Sequence, residues 1–536
     1  MSHDSEDHKS PAPAASEQGR STEAAAPQSV ETDSPERPDG AGGEAGGDAD
    51  AAHMRREGAT AFRSALKLAV SLMLTWSVAL IVTFKLPKYF GPLKNGYYQF
   101  CDSFTGTLFV FIGLGVDTYI QREVPVRPKH ASDFFGGFVL ARFLLSIPLF
   151  AIGAGILLYR AKPTEVLATA ALFGLVQIFM TLNETFAKML QASTKVGGLA
   201  IANVLAKILW GGGAYALVVF KAPLVAFAVP VLLAEVLKAA FLFAATRKAV
   251  ELELRVDIAA TKAVLKESFP FFVSAIAVTM GSKLDVTMLD FVNPGVEVGW
   301  YGAARQIANL SMLLAPIVSG VLIPMMRRAH ERSEQEFFEI LRRCLEGVSI
   351  VSIPVTTMLA LGADVWIKLA LKDEFLPAAV SLRFLAPTFV FAYGNVLLWL
   401  ALMIQGRSWT ITLVSIGGLV ALPLFILLAV PLTRGLGPGG AGMGVGLALS
   451  LRELGVILVF LYFLGSRATD KKSILAVVKS LAIAGAVTGL HLALARLGPL
   501  RLAIDVAAYL VLGVALGVYR PRDAIMVLKL VKNRGR

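Results

Sequence analysis

From about residue 64 to about residue 519 the chain alternates runs of roughly twenty apolar residues with short turns that usually carry Lys or Arg. At 1.5 Å of rise per residue, a helix of that length crosses the roughly 30 Å hydrocarbon layer of a bilayer. About fourteen runs are read, at 64–85, 97–120, 134–158, 164–192, 196–219, 223–246, 268–291, 299–326, 342–370, 378–405, 408–431, 440–465, 472–496 and 500–519. The expected fold class is an all-α polytopic membrane protein. With 55% hydrophobic and 17% charged residues and a mean hydropathy of +0.65, the chain has too little polar surface for a water-soluble fold. Cys101 and Cys344 stand far apart with no Cys/His cluster nearby, which argues against a disulfide framework, a metal site or a redox motif.

The net charge of +12 hides a division after Glu57: residues up to there hold 13 acidic and 5 basic side chains, and the remainder 26 acidic and 46 basic. The first stretch is rich in Ala, Gly, Pro and Ser and nearly free of aromatic residues, so residues 1–57 are expected to be a disordered acidic tail. The Lys and Arg of the N-terminal flank, alternate loops and the C-terminal end number about 28, against about 11 in the other loops, which puts both termini in the cytoplasm. No loop on the outer face exceeds about fifteen residues, which favours transport over catalysis, and no catalytic residue is expected. The stretch AHERSEQEFFEILRR reads as an amphipathic interfacial helix.

Internal repeats set the architecture. Gly96-Tyr97-Tyr98 opens the second run and Gly299-Trp300-Tyr301 the eighth, 203 residues later. Ser146-Ile147-Pro148 recurs as Ser352-Ile353-Pro354 at an offset of 206, and Gln191 as Gln405 at 214. Three matches in order place runs one to six over runs seven to twelve in the same topology, as two pseudo-symmetric six-helix lobes around a central cleft, with two C-terminal helices appended. The expected division is an N-terminal lobe at 58–246, a cytoplasmic linker at 247–267, a C-terminal lobe at 268–465, the appended pair within 466–519 and a basic cytoplasmic tail at 520–536.

The Gly-aromatic-Tyr openings, IGLGVDTYIQRE at the end of the second run, NPGVEVGWYGAARQIANL and GPGGAGMGVGLALS together resemble the polysaccharide flippases of the multidrug/oligosaccharidyl-lipid/polysaccharide exporter superfamily. The resemblance covers about residues 64–519 and matches that superfamily's plan of twelve helices plus two. It implies an inner-membrane protein that turns a lipid-linked oligosaccharide, typically undecaprenyl-pyrophosphate-linked, from the inner to the outer leaflet for surface polysaccharide biosynthesis. It also implies that the first, second, seventh and eighth runs line the cleft. The partners expected are the polyprenyl-linked substrate, membrane lipid and polysaccharide-assembly proteins, and not nucleic acid.

Charged groups inside apolar runs cost roughly 2.5–3.5 kcal/mol on insertion scales and so turn toward cavities or partners. Asp102, Lys283, Asp285 and Arg305 fall at similar depth in the second, seventh and eighth runs, and Asp102 is the repeat counterpart of Arg305. Cations held by carboxylates suit a pyrophosphate or an acidic sugar, so these four are the candidate substrate site; the competing reading is an ion-pair lock between the lobes. Lys207, Glu235, Lys238 and Arg383 are candidates for further lining. Arg142 lies near enough to one end of its run to snorkel.

The string Gly435-x-Gly437-x-x-Gly440 has no βαβ context and reads as a turn and a close helix contact rather than a dinucleotide site. No P-loop string is present, so no nucleotide cofactor is expected, and the candidate energy sources are the substrate gradient or coupling to H⁺ or Na⁺. Asp102, Glu235, Asp285 and Asp290 are the candidate ion carriers. The alternative function is a cation-coupled exporter of drugs or other organic cations from the same superfamily, for which unopposed acidic groups would be expected in the lining.

Overall fold

The computed structural model describes residues 43–127, 130–193, 197–253 and 255–519, with side chains from residue 75 onward except at 270, 313–318, 320 and 321. The acidic stretch before residue 43 and the basic tail after residue 519 lie outside the described residues. The chain is helical from Gly43, within the segment expected to be disordered. No proline follows Pro38 until Pro87, and Ala, Met, Arg and Glu are good helix formers. Residues 66–519 belong to one compact unit, which carries everything below.

Every regular element among the described residues is helical. Helices α1 (Gly43–Leu108) and α2 (Val116–Glu123) hold the first two apolar runs, and α3 (Ala131–Tyr159), α4 (Thr164–Ala192), α5 (Gly197–Val219) and α6 (Ala228–Val250) the next four. The seventh run is shared by α7 (Ile258–Gly281) and α8 (Leu284–Val292), and the eighth by α9 (Val296–Asn309) and α10 (Ala315–Arg332). The ninth comprises α11 (Glu334–Leu361) and α12 (Ala363–Ala370), the tenth α13 (Ala378–Leu385) and α14 (Pro387–Ile404). The last four are α15 (Ser408–Thr433), α16 (Gly440–Leu464), α17 (Lys471–Ala493) and α18 (Arg501–Ala515). Among the described residues ten stretches are long and apolar enough to cross a membrane, and two bent pairs qualify jointly, so the protein is a multi-pass membrane protein. The eighth run falls outside that set, because α9 is only 14 residues long and α10 carries Arg327, Arg328, Glu331 and Arg332.

Several runs are broken, each for a local reason. Gly91 interrupts α1 at φ 69°, ψ 173°, a backbone that glycine adopts without Cβ strain. The rings of Phe90 and Tyr98 stand 5.6 Å apart where a straight helix would rise about 12 Å between them, so the chain bends sharply there. The second run breaks again after a 3₁₀ turn at Phe109–Gly113, where Leu114 and Gly115 take φ of 56° and 68°. The carbonyls of Ile112 and Gly113 freed by this break accept from Arg142, at 3.0 and 3.3 Å. Arg142 is therefore buried rather than snorkelling: it supplies the donors that lipid cannot. The eighth run has a matching 3₁₀ segment at Leu310–Leu314, where the Tyr393 hydroxyl donates to the carbonyl of Ser311 at 2.7 Å.

The expected interfacial helix does not form as a separate element. Ser333 divides that stretch between α10 and α11 and caps α11 by accepting from the amide of Glu336 at 3.1 Å. Phe337, Phe338 and Leu341 are buried, so the apolar face of the stretch is used inside the protein instead of on a membrane surface.

One hydrophobic core joins the two halves of the chain at one end of the bundle. Phe100, Phe104, Leu157 and Phe173 of the first half pack in it with Leu284, Tyr301, Phe375, Ile426 and Val445 of the second. These residues come early in the even-numbered runs and late in the odd-numbered ones. Toward the opposite end the core divides into one cluster around Phe109, Phe138, Ile178, Phe186 and Leu242 and another around Met326, Phe337, Leu398, Val414 and Phe460. The bundle is sealed at one end and split at the other. Helix α7, bent by 62° between Phe269 and Phe271, packs against the first half through Val264 and the backbone around Ser268 and Phe272, beside Gly115.

Candidate functional site

The sealed end is held by contacts between repeat counterparts. Gly96 and Gly299 meet backbone to backbone, so that a Cβ on Gly96 would lie 2.9 Å from the amide nitrogen of Gly299. Asn95, one residue earlier, donates through Nδ2 to the carbonyl of Gly299 at 2.9 Å. The absence of a side chain at both positions is what lets two helices cross this closely. Beside them Lys162 reaches Asp290 with Nζ 2.7 Å from Oδ2, while Arg160 donates to the carbonyls of Asp290 and Phe291 at 2.9 and 3.2 Å. The cationic ends also face aromatic rings, the Lys162 ammonium over Phe100 and the Arg160 guanidinium over Phe291. Trp300 donates to the carbonyl of Glu374 at 2.8 Å, and Glu297 accepts from the amides of Gly439 and Gly442 at 2.7 and 3.3 Å, at the N-terminus of α16. The glycines there act as a turn and a close contact: Gly437 and Gly439 take positive φ, and a Cβ on Gly446 would lie 2.9 Å from Phe384.

Just inside this seal the four principal candidates come together as two ion pairs. Lys283 occupies the break between α7 and α8 and bonds Asp102 of α1 at 2.5 Å, joining the two halves. Arg305 of α9 lies 2.7 Å from Oδ2 of Asp285, which also accepts from the Tyr301 hydroxyl at 2.7 Å. The same break frees two carbonyls: that of Ser282 accepts from Arg305, and that of Gly281 from Arg452 at 3.0 Å. Asp285 is only 2% exposed, so a ligand arriving in the cleft meets Arg305 and not its carboxylate. Each of the four charges thus has a partner of opposite sign within the protein.

A cavity of about 590 Å³ lies in the first half of the chain, and another of about 480 Å³, bordered by Asn395, Trp399, Arg452 and Glu453, lies in the second. The first is the one that holds most of the remaining candidates. Its lining includes Asp102, Lys207, Trp210, Glu235 and Lys238, together with Tyr98, Gln99 and, from the second half, Gln306. Lys207 sits over the Trp210 ring at 4.6 Å, with no carboxylate in ion-pair contact among the described residues. Lys238 stands 4.0 Å from Glu235, which Asn183 holds from behind through a 2.8 Å hydrogen bond to Oε2. Arg383 does not join this group; it pairs at 2.5 Å with Asp364 of α12. Among the described residues no three His, Cys, Asp or Glu side chains converge as metal ligands.

Lys283, Arg305 and Asp102 stand out in sequence as charges in apolar runs. Arg160 and Lys162 lie in a loop, where cations are ordinary, and the signal that could have found them was Asp290, a lone carboxylate one loop's reach away. Asn183 carries no charge, and its only signal is its repeat counterpart Asn395.

The chain matches the family model described as "Polysaccharide biosynthesis protein" over residues 61–330, just over half of its length. Its fold is similar to that of the lipid II flippase MurJ in an inward closed conformation, at 14% identity and a TM-score of 0.64, covering 85% of this chain and 99% of that one. It is also similar to a multidrug resistance MATE family transporter of the MOP superfamily. The inward-facing form gives 15% identity and a TM-score of 0.55, covering 71% of this chain and 96% of that one. The outward-facing form gives 16% and 0.52, covering 74% and 93%. No curated protein matches the sequence. At such identities the solved structures establish a common fold, and the family match establishes membership: the chain belongs to the polysaccharide biosynthesis protein family.

Proposed function

We propose that this protein is a flippase that moves a lipid-linked oligosaccharide, on a polyprenyl-pyrophosphate anchor, across the inner membrane by alternating access. The observation that carries this reading is a cavity with two lysines, Lys207 and Lys238, behind an end sealed by Gly96–Gly299 contacts and the Lys283–Asp102 and Lys162–Asp290 pairs. A pyrophosphate brings at least two negative charges and several acceptor oxygens, which two flexible ammonium groups neutralise without fixing a geometry. Trp210 and Tyr98 offer apolar faces for sugar rings. The greater number of Lys and Arg in the loops at the split end supports assigning that end to the cytoplasm, with both termini there. The head group then enters from the cytoplasmic leaflet while the lipid chain stays in the bilayer. Release requires the sealed end to open, with the two halves moving as lobes, and the ion pairs at Lys283, Arg305 and Lys162 serve as the gate. The cycle makes and breaks no covalent bond, so the protein acts as a transporter and not as an enzyme. Its energy comes from the substrate gradient or from coupling to H⁺ or Na⁺, and the proteins that build or polymerise the oligosaccharide are the natural partners.

A second reading, export of an organic cation, is favoured by the likeness to the MATE fold and by Asp102 and Glu235 in the lining. Two lysines in the same cavity oppose it. The deciding experiment follows leaflet exposure of a labelled polyprenyl-pyrophosphate oligosaccharide in vesicles. Wild type should move the lipid, and Lys207→Ala and Lys238→Ala should each slow it about tenfold, about the effect of losing one charge-assisted contact. Lys283→Ala and Arg305→Ala should disturb the cycle by weakening the seal. Absence of lipid movement, with expulsion of an organic cation along an imposed ion gradient, would overturn the proposal in favour of the second reading.

A further inference from the structure

Each half of the chain carries a copy of one polar unit. Asn183 of α4 donates through Nδ2 to the backbone carbonyl of Glu235 at 3.0 Å and to its Oε2 at 2.8 Å. Asn395 of α14 does the same to Glu453 of α16, at 3.1 and 2.6 Å. Both asparagines are more than nine-tenths buried, and in both Oδ1 is buried without a hydrogen-bond partner. Donation to a backbone carbonyl fixes the amide, since the flipped form would set oxygen against oxygen. The two units are the same device.

Their countercharges differ. Arg452 directly precedes Glu453 and bonds its Oε1 at 2.6 Å, while its Nη1 is anchored on Gly281. A guanidinium does not lose its proton, and both Glu453 oxygens are engaged, one by Arg452 and one by Asn395. Before Glu235 stands Ala234, and the base on that helix face is Lys238, 4.0 Å away. Both glutamates border a cavity, Glu453 one of about 480 Å³ that it shares with Arg452, and Glu235 the one of about 590 Å³ that holds Lys207 and Lys238, so the difference between the copies is the countercharge. The remaining charged groups on the elements around it are Lys207 of α5, Glu184 and Lys188 of α4, and Asp102 across the cavity.

We propose that Glu235 is the exchangeable proton site of this cavity and that its protonation switches the cavity toward anions. With Glu235 neutral, Lys207 and Lys238 face the cavity unopposed and bind an anionic head group. With Glu235 ionised, it competes for Lys238 and repels the anion, and the proton leaves to water on the open side. This inference rests on reading the cavity as a head-group site.

The test is binding of farnesyl pyrophosphate to the full chain in nanodiscs between about pH 4 and about pH 8, a range that starts near the ordinary titration point of a glutamate. Wild-type affinity should fall with rising pH by about tenfold more than that of Glu235→Gln, a size set by one charge at a few ångströms in a partly solvated cavity. The probe's own titration is common to both proteins and cancels. Arg452→Met combined with Glu453→Gln, which leaves no buried charge unpaired, should keep the wild-type slope. Equal slopes in wild type and Glu235→Gln overturn the switch while leaving the head-group site standing, and failure of all variants to bind the probe overturns both.

Discussion

Lys283 and Asp102 come from opposite halves of the chain, and neither has another partner of opposite charge in contact among the described residues. Lys283→Ala therefore leaves a carboxylate alone in the cleft, whereas the double change Asp102→Ala/Lys283→Ala leaves nothing uncompensated. The single variant should be less stable than the double in thermal unfolding of the detergent-solubilised protein, although more of the protein remains unchanged in it. A second residue-scale prediction lies in the C-terminal helices. His491 and Asp505 meet at 2.5 Å, and both are almost wholly buried. Leaving a buried polar group without its hydrogen-bond partner costs about 1–3 kcal/mol, so Asp505→Ala should lower the melting temperature, and His491→Leu/Asp505→Leu should recover part of the loss. Legibility in sequence at this scale follows chemistry: a charge inside an apolar run is rare enough to notice, as with Asp102, Lys283, Asp285 and Arg305. Pairing is not readable there, and pairing is what separates a lock from a binding site. Lys207 and Lys238, read only as secondary lining, prove to share the cavity with Glu235.

The helices themselves were legible because their length and apolar content are imposed by the bilayer and not by their neighbours. Their breaks were not, because each is stabilised by a residue far away in sequence: Arg142 for the carbonyls of Ile112 and Gly113, Arg452 for that of Gly281. Arg142→Met should leave those carbonyls unpaired at a cost of about 1–3 kcal/mol, seen as lower thermal stability without loss of helical content in circular dichroism. The repeat made the glycine openings of the second and eighth runs visible, and the structure shows them touching. A Cβ on Gly299 would run into the carbonyl of Pro92, so Gly299→Ala should prop the sealed end apart. Labelling of Asn95→Cys by a membrane-impermeant maleimide should then be faster in the Gly299→Ala background than without it.

At the scale of the whole molecule, the repeat in the sequence indicates two halves with a cleft between them, and the cores add which end is shut. One core spans both halves where Phe100, Tyr301 and Val445 meet, and two separate cores hold the opposite end. No pattern in the chain announces this, because the same apolar helices serve a bundle open at either end and only the cross-packing differs. Each half also has its own cavity, one lined by Lys207, Trp210 and Lys238 and the other by Trp399, Arg452 and Glu453, while the paired charges of Lys283, Asp102, Arg305 and Asp285 link α1, α8 and α9. A carrier built this way must unseal the Gly96–Gly299 end in every cycle. The most direct test joins that end covalently: Lys162→Cys and Asp290→Cys, in a background lacking Cys101 and Cys344, bridged by a cleavable bifunctional maleimide and assayed for movement of the labelled lipid between leaflets. The account predicts that bridging stops movement and that cleavage of the linker restores it. Movement at the unbridged rate through a bridged protein would contradict it.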